Sequence, residues 1–280
     1  LGSRFFWFDR KDSMSTKRLT AVMAVALALA LPASALAQAL PYKDIEAPST
    51  WEVDVGGGPV YGFSPGGKDP HKTNFTLWGS ATWKDKVYAN GLDGLGYNVV
   101  KQDDFRAGVQ LRPRWGGPDD TSSGIESPDT GADLALYAYK RTWKDWVVGG
   151  RIGRDVTGVS DGWDFWGSVS RQDVTPVGLL QSMVYARGGD KNTNRTFYGV
   201  SAKDVAAVPT LTQYDPKAGL NQVGVAFLMM TPIGDKYAVG TFANYERILG
   251  EAADSPLTER YGQQDEYRGG LIVVRRFIGR

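Results

Sequence analysis

The sequence predicts an all-β protein, a closed antiparallel transmembrane β-barrel of about twelve strands. Three observations predict it. Apolar and polar residues alternate along most of the chain, the mark of strands with two unlike faces. Glycine (35 of 280 residues) and aromatics (9 Trp, 13 Tyr, 11 Phe) are abundant while only 22% of residues are charged, which argues against disorder. An export signal stands near the N-terminus, and no later apolar run approaches the roughly 20 residues that a membrane-spanning helix needs.

Residues 14–37 carry the export signal. Lys17 and Arg18 form a positive start, Leu19 to Leu31 an apolar stretch, and Ala35-Leu36-Ala37 a cleavage site before Gln38. Residues 1–13 precede a good start at Met14 and read as a mis-annotated upstream extension, so 38–280 is the expected barrel domain. Removing residues 1–37 takes away five basic and two acidic side chains, moving the net charge from +1 to −2. That balance offers no basic surface for nucleic acid. Zero cysteines exclude disulfides, thiolate metal sites and a cysteine nucleophile, and a single histidine, His71, leaves little room for zinc chemistry.

The clearest strands begin at Trp51, Phe75, Phe105, Trp146 and Trp163. In each, apolar residues such as Val53, Leu77, Val109, Val148 and Val169 alternate with small or polar ones. Weaker strands are expected at about 86–91, 131–141, 178–187, 195–201, 219–231, 235–248 and 265–277. Turn formers separate them at Lys84-Asp85, Ser160-Asp161-Gly162, Gly188-Gly189-Asp190 and Pro232-Ile233-Gly234-Asp235. The non-apolar face is glycine, serine and scattered arginine, which suits a lumen better than a solvated sandwich surface. Trp51, Trp83, Trp115, Trp143, Trp146 and Trp163 sit near strand ends, as girdles do. Short turns near 85, 158, 190 and 233 are expected on the periplasmic side, and longer segments 59–73, 92–104, 202–218 and 249–264 outside. Two connections run against this assignment: 115–130 is long where it should be short, and Arg141 to Asp145 is short. In lipid an unpaired backbone group costs several kcal/mol, so the sheet must close on itself.

Tyr245 to Thr258 reads YERILGEAADSPLT before a last strand ending VVRRF. Together with Trp51-Glu52-Val53 leading into Gly56-Gly57-Gly58-Pro59, and with Phe197-Tyr198-Gly199-Val200-Ser201, this resembles the MipA/OmpV family of outer-membrane proteins over the whole mature chain. The resemblance implies an outer-membrane location and, in one branch, a scaffold joining a lytic murein transglycosylase to a bifunctional murein synthase. In the other branch it implies a surface antigen with porin-like or adhesive behaviour. The C-terminus departs from the usual barrel ending, since Phe277 is followed by Ile278-Gly279-Arg280 and Arg275 takes an alternate position where an apolar residue is expected.

Within the signature, Ala252, Ala253, Asp254, Ser255 and Pro256 read either as a rigid turn closing the barrel mouth or as a contact surface for a partner or lipopolysaccharide. Arg106, Arg112, Arg151 and Arg154 are assigned to the lumen. They either pair with carboxylates such as Asp54, Asp133, Asp145, Asp155 or Asp164 to plug it, or line a narrow pore favouring anions.

The string Gly62-Phe63-Ser64-Pro65-Gly66 mimics a nucleophile elbow, but Pro65 lacks the N–H that an oxyanion hole requires. Asp119-Asp120 with Glu126 and Asp129 lacks the ordered spacing of a calcium loop. The expectation is therefore a protein that is not an enzyme and holds no cofactor. Its partners are outer-membrane lipid and lipopolysaccharide, with murein-synthesising and murein-hydrolysing proteins implied by the resemblance. A small-solute, anion-leaning channel or a surface adhesin is the alternative.

Overall fold

The computed structural model describes residues 51–62, 72–114, 125, 128–143, 146–261 and 264–279. The export signal, His71, Trp115, Asp119, Asp120, Glu126, Asp145 and most of the elbow-like string lie outside them. Twelve strands follow one another: β1 Trp51–Tyr61, β2 Thr73–Trp83, β3 Val87–Asn90, β4 Gly94–Lys101, β5 Phe105–Arg114, β6 Gly131–Arg141, β7 Trp146–Asp155, β8 Trp163–Thr175, β9 Gly178–Gly189, β10 Gly219–Ile233, β11 Tyr237–Ile248 and β12 Asp265–Gly279. Each pairs antiparallel with its sequence neighbours, and β12 returns to β1 with Trp51 opposite Gly279 and Tyr61 opposite Gly269. The ring is closed.

The strand total agrees with the sequence reading, but with one exchange. Residues 195–201, expected as a strand, belong to a helix, α1 Lys191–Tyr198, whose N-terminus is capped by the Asp190 side chain accepting from the Thr193 N–H. Conversely 94–101, read as loop, is strand β4. This exchange inverts the ends assigned to the middle connections. Turns 84–86, 102–104, 176–177 and 234–236 and the β6–β7 connection share one end with the start of β1 and the close of β12. At the other end the strands are joined by the β1–β2, β3–β4, β5–β6, β7–β8, β9–β10 and β11–β12 connections. The turns near 158 and 190 thus belong with the long loops, and the misfits at 115–130 and 141–145 vanish. Short turns mark the periplasmic end, and long loops the extracellular end.

Three further helices accompany α1 at that outer end: α2 Ala202–Ala207, α3 Gly250–Ala253 and α4 Pro256–Tyr261. At the periplasmic end, Lys84 and Asp85 both take positive φ (49° and 50°). That is the primed turn which matches the strands' own twist.

Faces follow parity. Leu134 and Leu136 on β6, Val148 and Ile152 on β7 and Phe165 and Val169 on β8 point out and are exposed, while Asp133, Ala135, Tyr137, Tyr139, Arg151 and Trp166 are buried inside. Large apolar residues face out at regular intervals, and charges face in. This is the inverse of a water-soluble fold and the arrangement that lipid selects. Trp51, Trp83, Trp143 and Trp146 ring the periplasmic end, with Trp163 at the other.

Candidate functional site

The interior is layered. At the periplasmic end, Arg276 donates from Nε and Nη2 to the two oxygens of Asp54 at 2.8 and 2.9 Å. Arg106 reaches the turn carboxylate Asp85 at 3.3 Å, where Lys101 also pairs.

Above this lies an aromatic layer. Tyr88, Tyr137, Tyr139, Trp166 and Tyr185 follow one another around the wall with ring centroids 5.8–6.4 Å apart. Met183, Val147, Ala226 and Leu92 are buried with them. Inward glycines on adjoining strands make room. The rings of Tyr88, Tyr137, Tyr139 and Tyr185 lie over Gly96, Gly108, Gly149 and Gly224, and a methyl added at Gly224 would sit 2.4 Å from the Tyr185 ring. The glycine surplus of the sequence serves this packing. Three of the hydroxyls are paired: Tyr137 donates to Asn98 Oδ1 at 2.6 Å, Tyr185 to Glu246 Oε1 at 2.5 Å and Tyr88 to Gln110 Oε1 at 3.0 Å.

The extracellular half of the lumen is ionic. Arg114 donates through Nε to Asp133 Oδ2 at 3.0 Å, with Nη2 2.7 Å from Oδ1, and through Nη1 to Ser160 Oγ at 2.8 Å. Asp164 on β8 is surrounded by Arg112 Nη1 at 3.9 Å, Arg151 Nη2 at 3.6 Å and Arg114 Nη2 at 3.7 Å. The Arg151 guanidinium lies 5.6 Å above the Trp166 ring, joining this layer to the aromatic one.

Of the four arginines assigned to the lumen, Arg106, Arg112 and Arg151 are buried inside. Arg154 is not. It stands three residues after Arg151 on an uninterrupted strand, so it faces lipid with Ile152 and stacks 5.7 Å over Trp163 at the outer rim. Arg106 does not join the other two, because Arg112 lies six residues further along the strand, about 20 Å away. Among the expected carboxylate partners, Asp54, Asp133 and Asp164 take arginines. Asp155 instead accepts from Thr157 and from the Ser160 and Asp161 N–H groups of its own turn. Arg114, Arg187, Arg268 and Arg276 went unread. Arg114 and Arg276 share the inward parity of Arg112 and Val274, and counting by two would have found them.

The signature segment sits in the extracellular cap. Ser255 is fully buried and its Oγ donates to the Tyr198 carbonyl at 2.6 Å, while the Leu257 N–H donates back to it at 3.2 Å. Ala252 is also fully buried, and the Thr258 hydroxyl donates to its carbonyl at 2.7 Å. Asp254 caps α3, its N–H donating to the Gly250 carbonyl. Pro256 opens α4, a position where its missing N–H costs nothing. Tyr214 donates to Glu251, and Val200, Val208 and Leu211 form a small apolar core with Ile125, Val205, Tyr214 and Leu257. On the cap surface Asp215 takes hydrogen bonds from Arg195 and Lys191 that hold its carboxyl down at about 2.

A family model described as MltA-interacting protein MipA matches residues 55–277. Curated proteins yield no match. Among solved structures the chain is similar to the COG4313 outer membrane channel from Pseudomonas putida F1, at 12% identity and a TM-score of 0.41, covering 84% of this chain and 98% of that one. It is also similar to a porin (9% identity, TM-score 0.33, covering 81% and 99%) and to a bacterial polysaccharide outer membrane secretin (10% identity, TM-score 0.36, covering 84% and 100%).

Proposed function

Since the chain belongs to the MipA family of outer-membrane barrels, we propose that it is an interaction scaffold which docks murein-acting enzymes on its periplasmic end. One feature of the wall carries this reading. Among the described residues, strand β8 pairs with β7 as far as Arg171 opposite Trp146 and runs on through Gln172–Thr175 against β9. The β8–β9 hairpin therefore extends four residues, about 13 Å, past the last described β7–β8 pair. Alternate residues of that extension direct N–H and C=O groups away from β9. In the periplasm water meets these groups, and an extended segment of another protein can replace that water by adding a strand. Val174 is 91% exposed and Val177 60% exposed at the tip, apolar surface for such a segment to cover.

The packed interior supports docking over conduction as the main role. The family description names a lytic-enzyme partner, and a joint role with a murein synthase is the further reading that the sequence resemblance suggested. Affinity capture from detergent-extracted envelopes, with the folded barrel as bait, tests it. The wild type is expected to retain a lytic transglycosylase and a murein synthase, and Val174→Lys with Val177→Lys to lose most of both while keeping its folded mobility. Retention no better than that of an unrelated barrel defeats the reading.

The signature turn Ala252–Pro256 serves, on this reading, to lock the outer cap. Lipopolysaccharide and outer-membrane lipid meet the apolar wall, with Arg154 beside Trp163 at headgroup depth. Residues 14–37 act, on this reading, as a removable export signal. One observation favours the channel alternative, the arginine-lined interior. Planar-bilayer recording of the folded protein, with or without conductance steps, decides that point.

A further inference from the structure

The ionic layer in the extracellular half of the lumen is incomplete as it stands. Arg151 has 1% of its side chain exposed, Arg112 4% and Asp164 5%. Yet Nε, Nη1 and Nη2 of Arg151, Nε of Arg112 and both oxygens of Asp164 have no hydrogen-bond partner among the described residues. The three guanidinium contacts to Asp164, at 3.6–3.9 Å, are longer than the roughly 2.7–2.9 Å of a charge-assisted hydrogen bond. Buried guanidinium donors are normally satisfied, and each arginine brings five.

Charge narrows what can satisfy them. Arg114 is neutralised by Asp133 at 2.7 Å. Asp155, at the rim, is held by donors of its own turn. Asp93 and Arg187 also act on this layer with opposite sign, so they leave its balance unchanged. What is left at the centre is two guanidiniums, Arg112 and Arg151, on one carboxylate, Asp164. Water can fill hydrogen bonds here but cannot offset the surplus positive charge.

We propose that Arg112 and Arg151, above Trp166, form a binding site for one small tetrahedral oxyanion of phosphate or sulfate type. The anion would sit among donors now unfilled and neutralise the charge that Asp164 leaves over. A lipid headgroup does not reach it, since both arginines face the lumen and the acyl chains lie outside the wall. The aromatic layer beneath makes this a holding site in a plugged barrel rather than a station in an open pore. The proposal is independent of the docking role argued for the periplasmic end.

Equilibrium dialysis of the full-length barrel in nanodiscs against radiolabelled inorganic phosphate, with ionic strength held constant by chloride, tests it. The wild type is expected to bind about one phosphate per chain, saturably. Arg151→Gln should weaken binding at least about tenfold. Asp164→Asn should tighten it by at least about tenfold, because it removes a like charge that shares the same guanidiniums with the anion. A purely structural ion cluster would give no such opposite movement. Absence of phosphate binding by both the wild type and Asp164→Asn overturns the proposal, and so does unchanged binding by Arg151→Gln. Arg112→Lys, which keeps the charge but loses the planar fork, should fall between wild type and Arg151→Gln and stands in if that variant does not fold.

Discussion

Asp54 and Arg276 face each other across the seam where the last strand meets the first, 222 residues apart in sequence and joined by two parallel hydrogen bonds of 2.8 and 2.9 Å. A forked pair of this kind fixes direction as well as distance, so it sets the register at which the ring shuts. Glu52 adds a second carboxylate to the same guanidinium at 3.2 Å. Arg276→Ala removes the fork and leaves Asp54 without its donor. The expected cost is about 1–3 kcal/mol, read as a lower temperature at which the folded band is lost in semi-native gel electrophoresis. An Arg276→Lys variant should recover only part of it, because an ammonium cannot make both bonds in one plane.

The tyrosine-over-glycine packing gives a second test. At Gly108 an added methyl would lie 2.1 Å from the Tyr97 carbonyl oxygen and 2.5 Å from the Tyr137 hydroxyl. The first contact is backbone and cannot swing aside. Gly108→Ala should therefore destabilise by about 1–3 kcal/mol, the usual cost of overpacking. It should also disturb the Tyr137–Asn98 hydrogen bond. Urea unfolding of the barrel followed by tryptophan fluorescence gives the magnitude. A stability equal to wild type would mean that the strands separate locally at no cost.

Much of this arrangement is legible from parity alone, and its failures are local. Strands such as β6 and β8 declare themselves because Leu134 and Leu136, or Phe165 and Val169, alternate with residues that suit a lumen. β4 escaped because the ladder slips between Asn98 and Val100, and a bulge of this kind breaks the period of two on which the reading depends. The segment 195–201 imitated a strand through Thr196, Phe197 and Tyr198. What decides it is the Asp190 cap, a signal that lies outside the segment itself. Arg154 was misassigned although the strand is regular, since an odd offset from Arg151 already sends it to the other face. The pairing of Ser255 with Tyr198 spans 57 positions, and no local pattern encodes a contact of that range.

That contact yields a prediction about the cap. Ser255→Ala deletes the hydroxyl that bridges α4 to the end of α1 and leaves the Tyr198 carbonyl without this donor in a buried setting. The cost, about 1–3 kcal/mol, should fall on the cap rather than on the wall, because the strand ladders are untouched. Protease added to intact cells should then cut within 190–218 or 249–264 faster than in the wild type. The folded mobility of the barrel should stay unchanged. Cleavage at the wild-type rate would separate the signature turn from the integrity of the cap.

The opposite faces of neighbouring residues give the most direct test of the membrane reading. Leu136 lies in the middle of β6, 59% exposed on the outer wall, with the inward Tyr137 beside it. An arginine there would meet acyl chains, at a cost of about 2–4 kcal/mol near the bilayer midplane. Arg154 also faces out, but it stands near the extracellular end of β7 with its guanidinium on Trp163. At interfacial depth the penalty for a cation falls to about 0–1 kcal/mol, so Arg154→Leu should change stability little in either direction. Arg151→Leu, three residues earlier, removes one of the guanidiniums beside Asp164 and its stacking on Trp166, but Arg112 still faces the carboxylate, so the cost should stay at about 1–3 kcal/mol, below that of a buried pair left with an uncompensated charge. Folding titrations into lipid vesicles rank the three variants. If Leu136→Arg proves harmless while Arg154→Leu is severe, the faces of the wall have been assigned the wrong way round.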